Sequence, residues 1–156
     1  SPAIVLELPR VAERAARAPR ATLDAVGLAV EEASVFSERA CVGVGLSAAV
    51  RAANATLARP PASPWVVLDH NGERYRALEW AYVVTRLHAI FRAVDPTWYV
   101  ADTVGDVGAA VGGLAMARVI AAYERGYAPT DQAWVLLGSD DGARAAFVLG
   151  SPERGA

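Results

Sequence analysis

Three short apolar runs, separated by stretches of helical periodicity, constrain this chain more than any other feature. Trp65-Val66-Val67-Leu68, introduced by Pro64, holds no polar side chain, which suits a strand buried on both faces. From Tyr75 to Val94, apolar residues including Leu78, Ala81, Val84, Leu87 and Phe91 recur at helical spacing until Asp95-Pro96 stops the pattern. A short strand, Trp98 to Ala101, follows, then a helix from Asp106 to Arg125 and a third apolar run, Gln132 to Leu137. Strand and helix alternating in this way require crossover connections, which are right-handed and lay helices against a mainly parallel sheet.

The flanking segments extend that plan. Ala3 to Leu8 is a short apolar run stopped by Pro9, expected as a first strand, and Ala21 to Val30 is expected as a second strand paired with it. Arg10 to Arg20 between them reads as a helical turn or a loop. Leu46, Ala49, Val50, Ala53 and Leu57 follow the 3.6-residue period and end before Pro60-Pro61. Ala143 to Leu149 closes the chain as a strand joined to Gln132–Leu137 by Gly138-Ser139-Asp140-Asp141-Gly142, a turn of hairpin type. The order is β-β-α-β-α-β-α-β-β, an α/β domain with a mixed five-stranded sheet and an antiparallel pair at its edge. Residues 1–150 are expected as a single domain and 151–156 as a tail.

Charge and composition narrow the function. A net charge of -2, with all 15 basic residues arginines scattered along the chain, offers no stripe for a phosphate backbone, so nucleic acid is not an expected partner. The lack of lysine removes Schiff-base chemistry. Cys41 stands alone, which excludes an internal disulfide and any multi-thiolate metal site; the expected compartment is the cytoplasm. No stretch approaches the roughly 20 apolar residues of a membrane span.

The stretch Gly105-Asp106-Val107-Gly108-Ala109-Ala110-Val111-Gly112-Gly113 lies between a strand and a helix, where anion-binding turns are found. It follows the fourth strand-like run, though, and a dinucleotide fingerprint belongs after the first strand of its unit. A Walker loop needs a lysine. Both phosphate schemes are set aside.

That stretch instead resembles the Gly-His or Gly-Asn turn that opens the last long helix of the thiolase-like condensing enzymes, the β-ketoacyl synthases among them. Trp65 to Leu68 looks like their strand before the active-site His-Gly turn, and residues 137–149 like their closing hairpin. In that family a chain about twice this length folds into two similar halves, and this sequence resembles the second half from end to end. The resemblance implies a place in fatty acid or polyketide assembly, a protein partner supplying the other half or a second copy of this chain, and acyl carrier protein as a further partner. It implies no cofactor and no metal.

The departures bear on chemistry. The family's nucleophile is a cysteine of the first half, and Cys41 is not at its position. The His-Gly turn becomes His70-Asn71-Gly72, with Asn71 at the imidazole position in the register that matches Gly72, or His70 after a one-residue slip. Asp106 falls where a neutral donor is needed, and an ionised carboxylate is acceptor-only and repels an oxyanion. The family's lysine falls on Ala101. The catalytic candidates are therefore His70, Asn71 and Asp106, and the substrate-binding candidates Gly105, Gly138 and Asp140. Glu79 is expected to brace the loop through Arg76 or a backbone amide. Asp140-Asp141 also has the plainer role of satisfying turn amides, Asp106 that of a first-turn carboxylate, and His88 that of a packed histidine on the apolar side of its helix.

The expected function is a non-catalytic, ketoacyl-synthase-like half-domain that completes a thiolase-type pair as an assembly or acyl-chain-binding subunit, as chain-length factors do. The alternative is half of a split condensing enzyme whose cysteine lies on a partner chain. A fragment of a longer protein is the third reading.

Overall fold

Val66 and Leu68 point to one side of the sheet and Trp65 and Val67 to the other, and all four are buried, so the run that most constrained the sequence lies between two layers of helix. In the computed structural model, residues 4–61, 65–92 and 96–152 are described. Five strands, β1 (Thr22–Val30), β2 (Trp65–Leu68), β3 (Thr97–Tyr99), β4 (Gln132–Gly138) and β5 (Ala143–Gly150), form one sheet in the order β1-β5-β4-β2-β3. β2 runs parallel to β3 and β4, while β5 is antiparallel to both β4 and β1. Helices α2 (Val44–Thr56) and α3 (Arg74–Arg86) cover one face over Val66, Leu68, Trp134, Leu136 and Val148. Helix α5 (Val111–Glu124) covers the other over Trp65, Val67, Ala133 and Val135 through Ala115, Val119 and Ala122. Those three sit one helical turn or two apart, on a single stripe.

Gly27 sets how closely α2 approaches. A Cβ there would lie 1.9 Å from the Ala49 carbonyl oxygen and 2.6 Å from the Ala53 nitrogen, so only the absence of a side chain lets helix backbone rest on strand backbone.

Several expectations are corrected. Residues 4–8 have no regular structure and residue 3 lies outside the described residues; α1 (Pro9–Arg14) follows, with Pro9 at its N-terminus. β1 pairs with β5 and not with a preceding strand, which makes three antiparallel neighbours at that side of the sheet where the sequence suggested a pair. The sheet keeps its five strands because the sixth strand-like run does not join it. α3 ends at Arg86, and residues 93–95 lie outside the described residues. The early end leaves His88 exposed instead of packed. The helix expected from Asp106 is two pieces, a 3₁₀ turn (Gly108–Ala110) and α5, and a short helix the sequence did not suggest, α4 (Ala101–Val104), precedes it. Among the described residues no helix is long and apolar enough to cross a membrane.

Candidate functional site

Parallel strands deliver the loops at their carboxyl ends to one edge of the sheet, where crevices form in α/β folds. Here the residues after β2, β3 and β4 enclose a cleft of about 530 Å³. Asn71, Gly105, Asp106, Gly138 and Asp140 all line it, so five candidates that lie far apart in sequence meet there. His70 does not line the cleft. Its half-buried ring tilts against Tyr99 with centroids 5.7 Å apart, and burial, with the Arg76 charge second, lowers its pKa to about 4. It is therefore a neutral imidazole at physiological pH.

Asn71 and Asp106 touch. The Asn71 Nδ2 donates to Asp106 Oδ2 at 3.0 Å, and the other Asp106 oxygen accepts the Gly108 N–H at 2.8 Å. The Asn71 amide, and after it the Gly108 N–H, hold the Asp106 carboxyl below the usual carboxylate range. Asp106 does not cap α5, whose N-cap is Ala110; it closes the turn before the 3₁₀ segment, and Gly105 allows that turn with φ of 71°. At physiological pH the pair presents an ionised carboxylate that accepts one of the two Asn71 N–H groups, the reverse of a donor pair aimed at an oxyanion.

The floor is a polar knot around Gly138. Its N–H donates to Asp69 Oδ2 at 2.6 Å, and its carbonyl accepts Arg76 Nη2 at 2.8 Å. Arg76 also reaches Asp140 Oδ1 at 3.2 Å and stands 3.7 Å from Asp69. Burial pushes the Asp69 carboxyl up, against the opposing pull of Arg76 and the Gly138 amide. Asp140 thus holds Arg76, while its neighbour Asp141 accepts the Ala143 N–H in the hairpin turn. The sequence reading passed over Asp69 and Arg76 as site residues; an Asp directly after a buried parallel strand was the available signal.

The partner of Glu79 is Arg144, not the expected Arg76 or a backbone amide. Arg144 Nε donates to Glu79 Oε1 at 2.8 Å, with both side chains almost wholly buried. The same guanidinium donates to the carbonyls of Ser139 and Ala143 and to the Tyr75 hydroxyl, which passes a hydrogen bond to the Ala33 carbonyl. Cys41 lies beside Tyr75, away from the cleft, and burial pushes its thiol up. Its sulfur and one carboxylate oxygen each of Glu31 and Glu79 lie within 4.8 Å of one another. Both carboxylates are already engaged, Glu79 by Arg144 and Glu31 by the N–H groups of Ala33 and Gly45.

In its mixed five-stranded sheet with helices on both faces, this chain shares the fold of one half of solved ketosynthase structures. It superposes with a TM-score of 0.78 and 11% identity on a chain from the complex of a type II PKS acyl-carrier protein with its ketosynthase bound to the hexaketide, over 93% of this chain and 42% of that one. The ishigamide ketosynthase/chain length factor gives 0.75 and 15%, over 92% and 41%. The ketosynthase from module 6 of the bacillaene synthase of Bacillus subtilis 168 gives 0.70 and 11%, over 93% and 33%. This chain therefore spans less than half the length of each. No protein-family model matches the chain, and no curated protein matches it by sequence.

Proposed function

We propose that this chain is a non-catalytic ketosynthase-like half-domain that pairs with another thiolase-like half and serves as an assembly or acyl-chain-binding subunit. The observation that carries the reading is the open part of the α5 face. α5 covers β2 and β4, but Val26, Leu28 and Val30 of β1 stand 41%, 70% and 69% exposed beside Ala145 and Phe147 of β5. A run of apolar side chains on one uncovered sheet face is surface that a soluble chain ordinarily covers with protein. Met116 and Ile120, half-buried, lie on the flank of α5 that also carries Tyr123 and its bond to the Leu149 carbonyl. The likeness to ketosynthase halves supports a second half as the cover.

The non-catalytic part rests on the cleft: an ionised Asp106 beside Asn71, an imidazole turned aside on Tyr99, and a thiol outside it. The test is native mass spectrometry of the protein isolated from its own source, with Leu28→Glu as the variant. The expected result is a complex of this chain with a second chain or a copy of itself, and at least tenfold weaker association for Leu28→Glu. A monomer at micromolar concentration whose behaviour Leu28→Glu does not change overturns the pairing. A partner cysteine acylated by thioester substrates in that complex overturns the non-catalytic role in favour of a split condensing enzyme.

A further inference from the structure

The opposite flank of α5 carries a second cleft, of about 530 Å³, between β3, α4 and the helix. Trp98, Val100, Val104, Leu114 and Tyr127 make it apolar, and the one charged residue that lines it is Arg118. A half-buried cation in an apolar cleft normally carries a carboxylate partner. Among the described residues Arg118 has none within ion-pair distance: its Nη1 donates to the Tyr99 carbonyl at 2.7 Å and approaches the Thr103 hydroxyl at 3.2 Å, both neutral. The guanidinium carbon lies 4.7 Å from the centre of the Trp98 ring. Two hydrogen bonds and an indole face thus fix its plane, and no other contact among the described residues engages its remaining N–H groups.

The aromatic wall is equally fixed. Trp98 packs edge-on against buried Trp65 with centroids 4.6 Å apart and stacks with Tyr127 at 6.0 Å and 26°. Tyr127 and Val104 are each about half exposed at the rim. A held guanidinium fork matches the two oxygens of a carboxylate, and ring faces and edges beside it match a flat apolar body. A cleft of this size, apolar with one convergent polar group, has the composition of a small-molecule site.

We infer that the cleft between β3, α4 and α5 is a ligand site for a small carboxylate carried on a flat, aromatic body, bound with its carboxylate on Arg118 and its ring against Trp98 and Tyr127. The site is separate from the cleft that holds Asn71 and Asp106 and does not depend on the proposed pairing.

The test uses 2-naphthoate, with 2-naphthalenemethanol as the uncharged analogue of the same shape, titrated into the ¹⁵N-labelled chain while the indole N–H of Trp98 and the Nε–H of Arg118 are followed. The expected result is saturable shifts at both signals, with naphthoate binding at least tenfold more tightly than the alcohol, since hydrogen bonds to charged groups are the stronger class. Arg118→Gln is expected to reduce naphthoate to the affinity of the alcohol, and Arg118→Lys, which keeps the charge without the fork, to fall between. Asp106→Asn is expected to leave both affinities unchanged. Equal binding of acid and alcohol by the wild-type chain overturns the inference without reference to any variant. So do shifts confined to Asn71 and Gly138, or the absence of shifts at Trp98 at millimolar naphthoate.

Discussion

Replacing Glu79 tests the buried ionic brace behind the cleft. The Arg144 side chain is wholly buried and that of Glu79 is 2% exposed, so water cannot replace the lost partner. Removing one member of a buried pair typically costs about 3–5 kcal/mol, because the other is left as an uncompensated charge. The remaining contacts decide where in that range the value falls. Arg144 keeps the Ser139 and Ala143 carbonyls and the Tyr75 hydroxyl, which engage both Nη groups and leave Nε bare. Glu79→Leu is therefore expected to cost about 4 kcal/mol. Glu79→Gln, whose amide oxygen still accepts from Nε, is expected to cost about 2 kcal/mol, the scale of one charged hydrogen bond. Glu79→Leu combined with Arg144→Met removes both charges and is expected to lie within about 1 kcal/mol of the wild type. Urea unfolding followed by the fluorescence of the buried Trp65 and Trp134 measures all four proteins. Additive losses in the double variant, or a loss below about 1 kcal/mol for Glu79→Leu, would refute the reasoning.

Two further outcomes follow from the same packing. His70 titrates near 6.5 unfolded and at about 4 folded, so the unfolded chain binds more protons between those values. Its contribution is complete above pH 6.5 and is lost as pH falls towards 4, up to about 3 kcal/mol before allowance for its partial exposure. The difference between wild type and His70→Gln in unfolding free energy should accordingly slope only in that window, and a flat difference there rules the assignment out. Gly27→Ala places a Cβ 1.9 Å from the Ala49 carbonyl oxygen and, because helix backbone has to retreat, is expected to cost about 3 kcal/mol in the same urea assay; a change of less than 1 kcal/mol would show that α2 adjusts freely.

Local pattern was legible where one rule governed the outcome. The apolar stripe of Leu46, Ala49, Val50 and Ala53 gave α2 nearly to the residue, and the turn-rich Gly138–Gly142 segment gave the β4 and β5 hairpin. What the pattern missed was pairing across the chain. Ile4 to Leu8 has strand-like composition, yet β1 takes β5 as its neighbour, and Val5 and Leu6 remain 76% and 69% exposed. The partner of Glu79 was not legible: Arg144 lies 65 positions away and nothing local favoured it over Arg76. Asn71 and Asp106 came from the family resemblance, which aligned both turns; Asp69 has only its place directly after β2 to mark it, and its contact with the Gly138 N–H of β4 is set by strand pairing.

The pairing of β1 with β5 governs the order in which the chain can be assembled. Thr22 meets Gly150 and Val30 meets Ala143, so β1 waits for β5, more than 110 residues later in the sequence, before it acquires that neighbour. β2, β3 and β4 can form a parallel core in the meantime, since their partners arrive in sequence with the helices that cover them. Over that interval the uncharged run from Ala25 to Val30 has both backbone edges open, which makes β1 the segment most exposed to misassociation during synthesis. The β1 to β5 closure, with its long sequence separation, is the expected slow step of folding.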